Sequence, residues 1–414
     1  MVVDGPVARA DLFEYDAGTS RAPSGDGPGG YDEGMAGMGN ARLGLTGARW
    51  WWAGFLVMCV MLALAPGAGA AVWSIEPTPA VPGATSVTLT GVSCTSDSAC
   101  VAVGSYVDST KFAQPLTESW NGSSWTIHPV PVPSRTFTAS LLAVSCTSPD
   151  ACTAVGSYAN TPIYINGAPL AERWNGSSWS MQLPPDDPDF PGQNHSTISL
   201  NAVSCTSATA CTAVGDDNGD GNWNSFAEVW DGSTWVFQRP PQHQIDAGGD
   251  TSNFLNGISC LSPGACETDG SDGTLYTGYG TVAQVWDGTS WSVQPTPDDA
   301  DTTHTGTPSL QAVSCADSEA CTAVGATTVA AGGSTSGTAL AERWDGADWA
   351  IQPTANVAGR GFAQLNGVAC PNQSVCVAAG SSGASLETPQ STPGISGAGR
   401  SRRRPIRRAR RAQR

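Results

Sequence analysis

The chain has 414 residues, with 36 acidic and 19 basic side chains, 4 histidines and 13 cysteines. Between residues 71 and 399 the balance is 29 acidic to 6 basic side chains, a formal charge of −23. That excludes nucleic acid as a partner of this region and favours cations.

Residues 1–49 are Gly- and Asp-rich without periodicity and read as a polar leader ending in Arg42 and Arg49. An uncharged, largely apolar run from Trp50 to Leu64 follows, and then Ala68-Gly69-Ala70. Residues 50–70 therefore read as a signal peptide cut after Ala70, with a start at Met38, or as an uncleaved signal anchor. The expected location is outside the cell or at its surface, with membrane contact only through residues 50–70. Cys59 sits inside this segment.

Beyond it, a C-x5-C pair recurs six times: Cys94/Cys100, Cys146/Cys152, Cys205/Cys211, Cys260/Cys266, Cys315/Cys321 and Cys370/Cys376. The steps between first cysteines are 52, 59, 55, 55 and 55 residues, and a period of that length marks a repeat architecture. Repeat two shows the unit plainly, as Leu141-Leu-Ala-Val-Ser-Cys146, Cys152-Thr-Ala-Val-Gly-Ser-Tyr158 and Leu170-Ala-Glu-Arg-Trp-Asn-Gly-Ser-Ser-Trp179. The two cysteine runs flank five turn formers and predict a hairpin. Asn-Gly or Asp-Gly between two tryptophans predicts a second, because both central residues tolerate positive φ. Four short antiparallel strands per repeat make a propeller blade.

The expected fold over residues 71–387 is thus an all-β, six-bladed propeller of four-stranded blades, monomeric, with one disulfide inside each cysteine hairpin. Trp73-Ser-Ile-Glu-Pro-Thr-Pro79 matches the end of a repeat, as in Trp291–Pro297. It is therefore expected to close the ring as an N-terminal strand, which would remove an open edge. Ala384–Glu387 is the candidate third strand of the sixth blade. Residues 388–414 form an arginine-rich tail, with nine arginines from Arg400 onward, a composition that cannot fold and binds polyanions, anionic lipid or the chain's own acidic face.

The cysteines read as staples. Zinc would need histidines or C-x2-C spacing in step with the repeat, and His128, His195, His243 and His304 do not provide it. In an oxidising compartment each bridge closes a loop of about seven residues and contributes roughly 2 kcal/mol. The paired tryptophans read as packing between blades. Glu118, Glu172, Glu228 and Glu342, with Gln284 in the fourth repeat, read as structural hydrogen-bonding groups.

Both tight turns fall on one face and every variable stretch on the other, where binding determinants are expected. Trp223, the one tryptophan beyond residue 76 outside the repeat pattern, joins Tyr158, Tyr164, Tyr276 and Tyr279 as a candidate for ligand contact, a sugar ring above all. Asp216, Asn218, Asp220 and Asn224 follow D-x-N-x-D-G and resemble a calcium loop, although Ala227 stands where an EF-hand carries Glu. No other cofactor is implied.

With "SCTS…ACTAVG…AERW(N/D)G…W" over residues 73 to about 380, the chain resembles secreted repeat proteins of high-GC bacteria, and its blades resemble kelch and Asp-box propellers. The resemblance implies the fold; strand two lacks the kelch double glycine, and the tryptophan turn lacks the full Asp-box pattern. The expected function is an extracellular, non-catalytic binding module for a glycan or a protein. The alternatives are a carbohydrate-active hydrolase or lyase on the same scaffold and a structural envelope protein.

Overall fold

The structure is a computed structural model. It describes residues 12–16, 76–161, 167–185, 198–218, 222–242, 251–274, 278–297, 306–331, 334–354, 361–383 and 386–387. The proposed signal segment, Trp73 and the arginine tail lie outside the described residues. No helix among the described residues is long and apolar enough to cross a membrane.

Strand β1 (Leu12–Asp16) precedes the repeats. The first blade is β2 (Ser86–Ser96), β3 (Ala99–Val107), β4 (Ala113–Trp120) and β5 (Trp125–His128); the second is β6 (Thr138–Ser148), β7 (Ala151–Ala159), β8 (Gly167–Trp174) and β9 (Trp179–Met181). The third comprises β10 (Ile198–Ser207), β11 (Ala210–Asp217), β12 (Asn224–Trp230) and β13 (Trp235–Gln238). The fourth comprises β14 (Thr251–Ser262), β15 (Ala265–Thr274), β16 (Gly278–Trp286) and β17 (Trp291–Gln294). The fifth is β18 (Thr307–Asp317), β19 (Ala320–Ala331), β20 (Ser334–Trp344) and β21 (Trp349–Ile351). Each is an antiparallel meander in which consecutive strands pair.

The sixth repeat departs from the expectation. It forms only the cysteine hairpin, β22 (Phe362–Asn372) and β23 (Val375–Gly383). The protein is therefore a propeller of five four-stranded blades, not six, with a two-stranded hairpin after the fifth. Strand β24 (Leu386–Glu387) pairs with β20 rather than serving as a third strand beside β23, whose free edge is taken by β1. Residues 76–80 are not in a strand, so the N-terminal closing strand is absent from the described residues.

Each hairpin is stapled. All six disulfides form as the spacing implies, joining Cys94 to Cys100, Cys146 to Cys152, Cys205 to Cys211, Cys260 to Cys266, Cys315 to Cys321 and Cys370 to Cys376, with Cα–Cα separations of 3.9–4.1 Å. In the first five repeats the two cysteines are register partners, as Cys315 and Cys321 are. The sixth differs, because its register shifts between Ala369 and Asn372; Cys376 is instead the register partner of Tyr15 in β1.

The staple reading of the cysteines is also incomplete. Cys152, Cys211, Cys266, Cys321 and Cys376 are buried, and the first four of these belong to the apolar core of their blades. The preceding repeat covers three of them with a threonine hydroxyl: Thr153 on Cys211 Sγ at 3.5 Å, Thr212 on Cys266 Sγ at 3.8 Å and Thr322 on Cys376 Sγ at 3.3 Å. A bonded sulfur has no proton, so the threonine donates. The second cysteine of the pair thus packs the seam as well as closing its hairpin, a contact between repeats that spacing within one repeat does not reveal.

A bulge after the inner leucine shifts the register in every repeat, as between Leu200 and Ala202. Opposite it stands an obligatory glycine. A Cβ on Gly215 would fall 1.8 Å from the Ser199 carbonyl oxygen, and on Gly156 2.0 Å from that of Ser140. The tryptophan turns need the second special glycine, with φ between 90° and 97° at Gly122, Gly176, Gly232, Gly288 and Gly346. The Asx side chain ahead of it accepts the next two amides, as Asp231 does from Ser233 and Thr234 at 2.8 Å each.

One hydrogen bond recurs at every seam. The serine before the first cysteine accepts the amide of the equivalent cysteine in the next repeat: Cys146 N to Ser93 Oγ, Cys205 to Ser145, Cys260 to Ser204, Cys315 to Ser259 and Cys370 to Ser314, at 2.9–3.0 Å. Bulged side chains add a second tie, from Thr90, Asn201 and Asn256 to the Leu141, Leu255 and Leu310 carbonyls at 2.7–3.0 Å. The sixth repeat carries Ala369 where the others carry serine, so it has no acceptor to offer a following blade.

The first blade shows the complementary end. Val144, Val203, Ile258 and Val313 are 7–8% exposed because the preceding blade covers them, whereas the equivalent Val92 is 53% exposed. The last repeat does not seal the face of the first. Two substitutions check this. Val144→Asp is expected to cost several kcal/mol, since it buries a charge, while Val92→Asp stays within about 0.5 kcal/mol. Equal losses in denaturant titrations would show that Val92 is covered. Ser204→Ala, which strands the Cys260 amide, is expected to cost about 1–3 kcal/mol by the same measurement.

Candidate functional site

The paired tryptophans are packing residues, as their period implies. Trp179, Trp235, Trp291 and Trp349 are 5–8% exposed, and each pairs with the preceding tryptophan of its turn at ring centroids 5.5–6.0 Å apart. The repeated glutamates are buried completely: Glu118, Glu172, Glu228 and Glu342 have no exposed surface. Their hydrogen bonding is sparser than the sequence suggests. Thr281 donates to Glu342 at 3.1 Å across the seam between blades four and five, whereas neither oxygen of Glu118 or Glu172 has a hydrogen-bond partner among the described residues. Burial pushes Glu118 up to about 7 and Glu172 up to about 8.

Blade four breaks the pattern of the others. Its second strand reads Cys266-Glu-Thr-Asp-Gly270 where blades two, three and five read Cys-Thr-Ala-Val-Gly. In blades two and three that valine, Val155 or Val214, packs into the core of the following blade. Asp269 takes its place facing blade five, beside Gly257 and Ala312, with no exposed surface. Burial raises Asp269 to about 8, against a partial lowering by the Gly257 amide. Glu267, on the same face, is raised well above the usual range by burial and then by Asp269. Gln284 replaces the repeated glutamate and donates to the Pro241 carbonyl at 2.9 Å.

Two residues further along that face, Ser271 opens into a cleft of about 300 Å³. It lies at the variable-loop end of the seam, where the start of β18, the ends of β15 and β19 and the start of β22 converge. Its walls are Ser271, Tyr279, Thr307, Ser309, Gln311, Thr328 and Gln364, with Pro308 and Ala326. They offer hydroxyls, amides and one half-buried aromatic ring, and no carboxylate or cation is among them.

Of the three aromatic candidates among the described residues, Tyr279 alone lines this cleft. Tyr158 is half-buried against the core shared by blades one and two. Trp223 packs its ring against Phe254, tilted by 42° with centroids 5.3 Å apart, and its carbonyl accepts the Asn253 amide at 2.9 Å, so it ties blade three to blade four. The packing role that the repeat pattern did not suggest is supplied by a neighbouring blade. Tyr164 and Tyr276 lie outside the described residues.

The calcium-like loop is divided. Asp216 is 7% exposed and accepts from Asn201 Nδ2 at 2.6 Å; burial raises it to about 6 despite that bond. Asp217 is fully buried and ion-paired with Arg239 at 3.0 Å. Asn224 Nδ2 donates to the Asn222 carbonyl at 3.4 Å, Asn218 is half-buried, and Asp220 lies outside the described residues. No three His, Cys, Asp or Glu side chains converge as a metal set among the described residues. Asp216, Asp217 and Asp272 sit in strands.

The signal that sequence reading passed over was the departure of blade four from its sister repeats. Alignment of the repeats with one another exposes Glu267 and Asp269 directly.

These features define a disulfide-stapled, five-bladed β-propeller repeat protein. No protein-family model and no curated protein matches the chain. Among solved structures it is similar to a PL25 polysaccharide lyase, an ulvan lyase, at 10% identity over 64% of this chain and 71% of that one, with a TM-score of 0.42. A protein of unknown function from Dyadobacter fermentans gives 11% identity over 72% and 95%, with a TM-score of 0.42. An α-L-arabinanase of Penicillium chrysogenum gives 9% over 70% and 92%, with a TM-score of 0.36. Likeness at this level carries no argument about activity.

The buried acids make stability depend on pH. Glu118, Glu172 and Asp269 keep their protons in the folded chain at pH values where the unfolded chain, with ordinary values of 4.5 and 3.8, has lost them. The stabilising uptake is therefore full below about pH 4 and is lost progressively up to about pH 8. Thermal midpoints are expected to fall across that range. Glu172→Gln, a residue blade four already uses, should raise the midpoint at about pH 8 and leave it near the wild-type value at about pH 5. A flat profile would contradict the burial of these acids.

Proposed function

We propose that the protein is an extracellular, non-catalytic binding module whose cleft between blades four and five takes a neutral, polyhydroxylated ligand, a glycan segment above all. The observation that carries this reading is the cleft wall. Hydroxyls and amides can both donate and accept to sugar hydroxyls, Tyr279 supplies a flat apolar face, and no charge demands a counter-ion. Six disulfides fit the oxidising compartment in which such a ligand would be met.

The enzymatic alternative needs two carboxyl groups about 5–10 Å apart with access to substrate. The acids of this seam, Glu267, Asp269 and Glu342, are 6%, 0% and 0% exposed, and none lines the cleft. The geometry accordingly favours binding over glycosidic cleavage.

The test is retention of the purified, oxidised protein on a panel of neutral cell-wall and plant polysaccharides. Tyr279→Ala is expected to weaken binding at least about tenfold, equivalent to about 1.4 kcal/mol. Trp223→Ala is expected to leave affinity unchanged, because that ring serves the neighbouring seam. Loss in Trp223→Ala with retention in Tyr279→Ala would place the ligand elsewhere, and no binding to any glycan would sink the reading.

A further inference from the structure

On the face that carries the tight turns, the same groove recurs from seam to seam. One wall is the cysteine hairpin and the end of the third strand of one blade; the other is the cysteine-hairpin turn of the next. The residue just before the first tryptophan decides what fills it: Ser119, Arg173, Val229, Val285 or Arg343 in blades one to five.

Arginine enters it at two seams. Between blades two and three Arg173 donates from Nη1 to Thr153 Oγ1 at 3.5 Å and from Nη2 to the Ala208 carbonyl, and its guanidinium carbon stands 5.8 Å from the Trp230 ring centroid. Between blade five and the terminal hairpin, Arg343 Nη2 donates to the Gln373 carbonyl at 2.7 Å. Ala208 and Gln373 occupy the same position in their turns. The groove is thus a cradle for one guanidinium, with a backbone carbonyl at its far wall.

Three seams carry no such arginine, beside Ser119, Val229 and Val285, and the groove is open at the first two of these. The groove between blades one and two, beside Ser119, is open over about 210 Å³; that between blades three and four, beside Val229, over about 180 Å³. Their walls correspond: Thr95 to Thr206, Cys100 to Cys211, Pro149 to Pro263. The prolines stand where Ala208 and Gln373 supply the accepting carbonyl. Asp231 lines the second groove; its turn amides and Ser233 hold its carboxyl down at about 2 and keep it anionic.

We propose that these two grooves are guanidinium sites and that their occupant is the chain's own C-terminal arginine segment, residues 400–414. This segment carries nine arginines and no acid, whereas residues 71–399 carry a charge of −23. Arg400 lies thirteen residues beyond Glu387, the last described, a reach of about 43 Å at full extension. The grooves select arginine over lysine because a planar fork can lie against the wall and donate to a fixed carbonyl, which a compact ammonium cannot reproduce.

The experiment is limited trypsin digestion of the full-length oxidised protein, following release of tail peptides by mass. Three forms are compared: wild type, Ser119→Arg/Val229→Arg, and a chain whose tail arginines are all lysine. The double variant plugs the grooves as Arg173 and Arg343 do, so its melting point is expected to match or exceed that of wild type. Its tail is expected to be cut about tenfold faster than the wild-type tail, which is protected while docked. The lysine tail leaves the blades untouched and is also expected to be cut fast. Equal tail cleavage in wild type and the double variant overturns the proposal. A lysine tail protected as well as the arginine tail overturns the guanidinium assignment in favour of charge alone. Protection that disappears on dilution overturns the intramolecular occupant and identifies a second copy as its source.

Discussion

The structure depends on a single hydrogen bond that each cysteine amide donates to the serine hydroxyl in the Val/Ile-Ser-Cys run of the preceding repeat. Side chains alternate along a strand, so three successive residues address three levels of organisation. Valine buries against the preceding blade, serine reaches the following one, and cysteine locks its own hairpin. The disulfide matters to the seam because it fixes where the cysteine amide points. A bond between two mobile hairpins would be made at a cost in ordering; here both partners are already held, and the blade-to-blade register follows.

The seams are not uniformly apolar. Fully buried glutamates recur along the array, and the seam between blades four and five adds Glu267 and Asp269 where sister blades bury threonine and valine. Burying an acid without a strong partner is unfavourable unless it takes a proton. That cost is concentrated where the variable-loop face is hollow. Functional sites are the usual places where a chain departs from its own local rules, and the deviation and the cleft share one strand, β15. Tyr279, across the register from Gly273 on the neighbouring strand, then presents its ring to the cleft rather than to the core.

Much of this was legible in the residues. The C-x5-C pairs, the Trp-(Asn/Asp)-Gly turns and the common period gave the four-stranded blade, the disulfides and the packing role of the tryptophans, because each is a local pattern with a local physical cause. The number of complete blades was not legible from the cysteine count, since a cysteine hairpin can form without the tryptophan hairpin that normally follows it. Ala369 was the available sign: the missing hydroxyl marks the repeat that forms only its cysteine hairpin among the described residues. The packing of Trp223 was not legible for a different reason. Its partner Phe254 belongs to the next repeat, and a contact between repeats leaves no trace in the spacing within one. The burial of Cys321 and Cys376 was hidden in the same way. Asp216 looked like a loop ligand because its sequence is turn-like, yet the strand runs on to include it and its neighbour Asp217, and Asn201 and Arg239 engage the two.

The exposed flank of the first blade has a consequence for how such chains lengthen and shorten. In a closed propeller the angles between blades must sum to a full turn, so gaining or losing a repeat strains every seam at once. Here Val92 faces no final blade and Ala369 offers no bond to a first one. Each seam is satisfied by its two neighbours alone, as in an open stack. The cassette of about 55 residues is then a unit that recombination can copy or delete without recalibrating the rest.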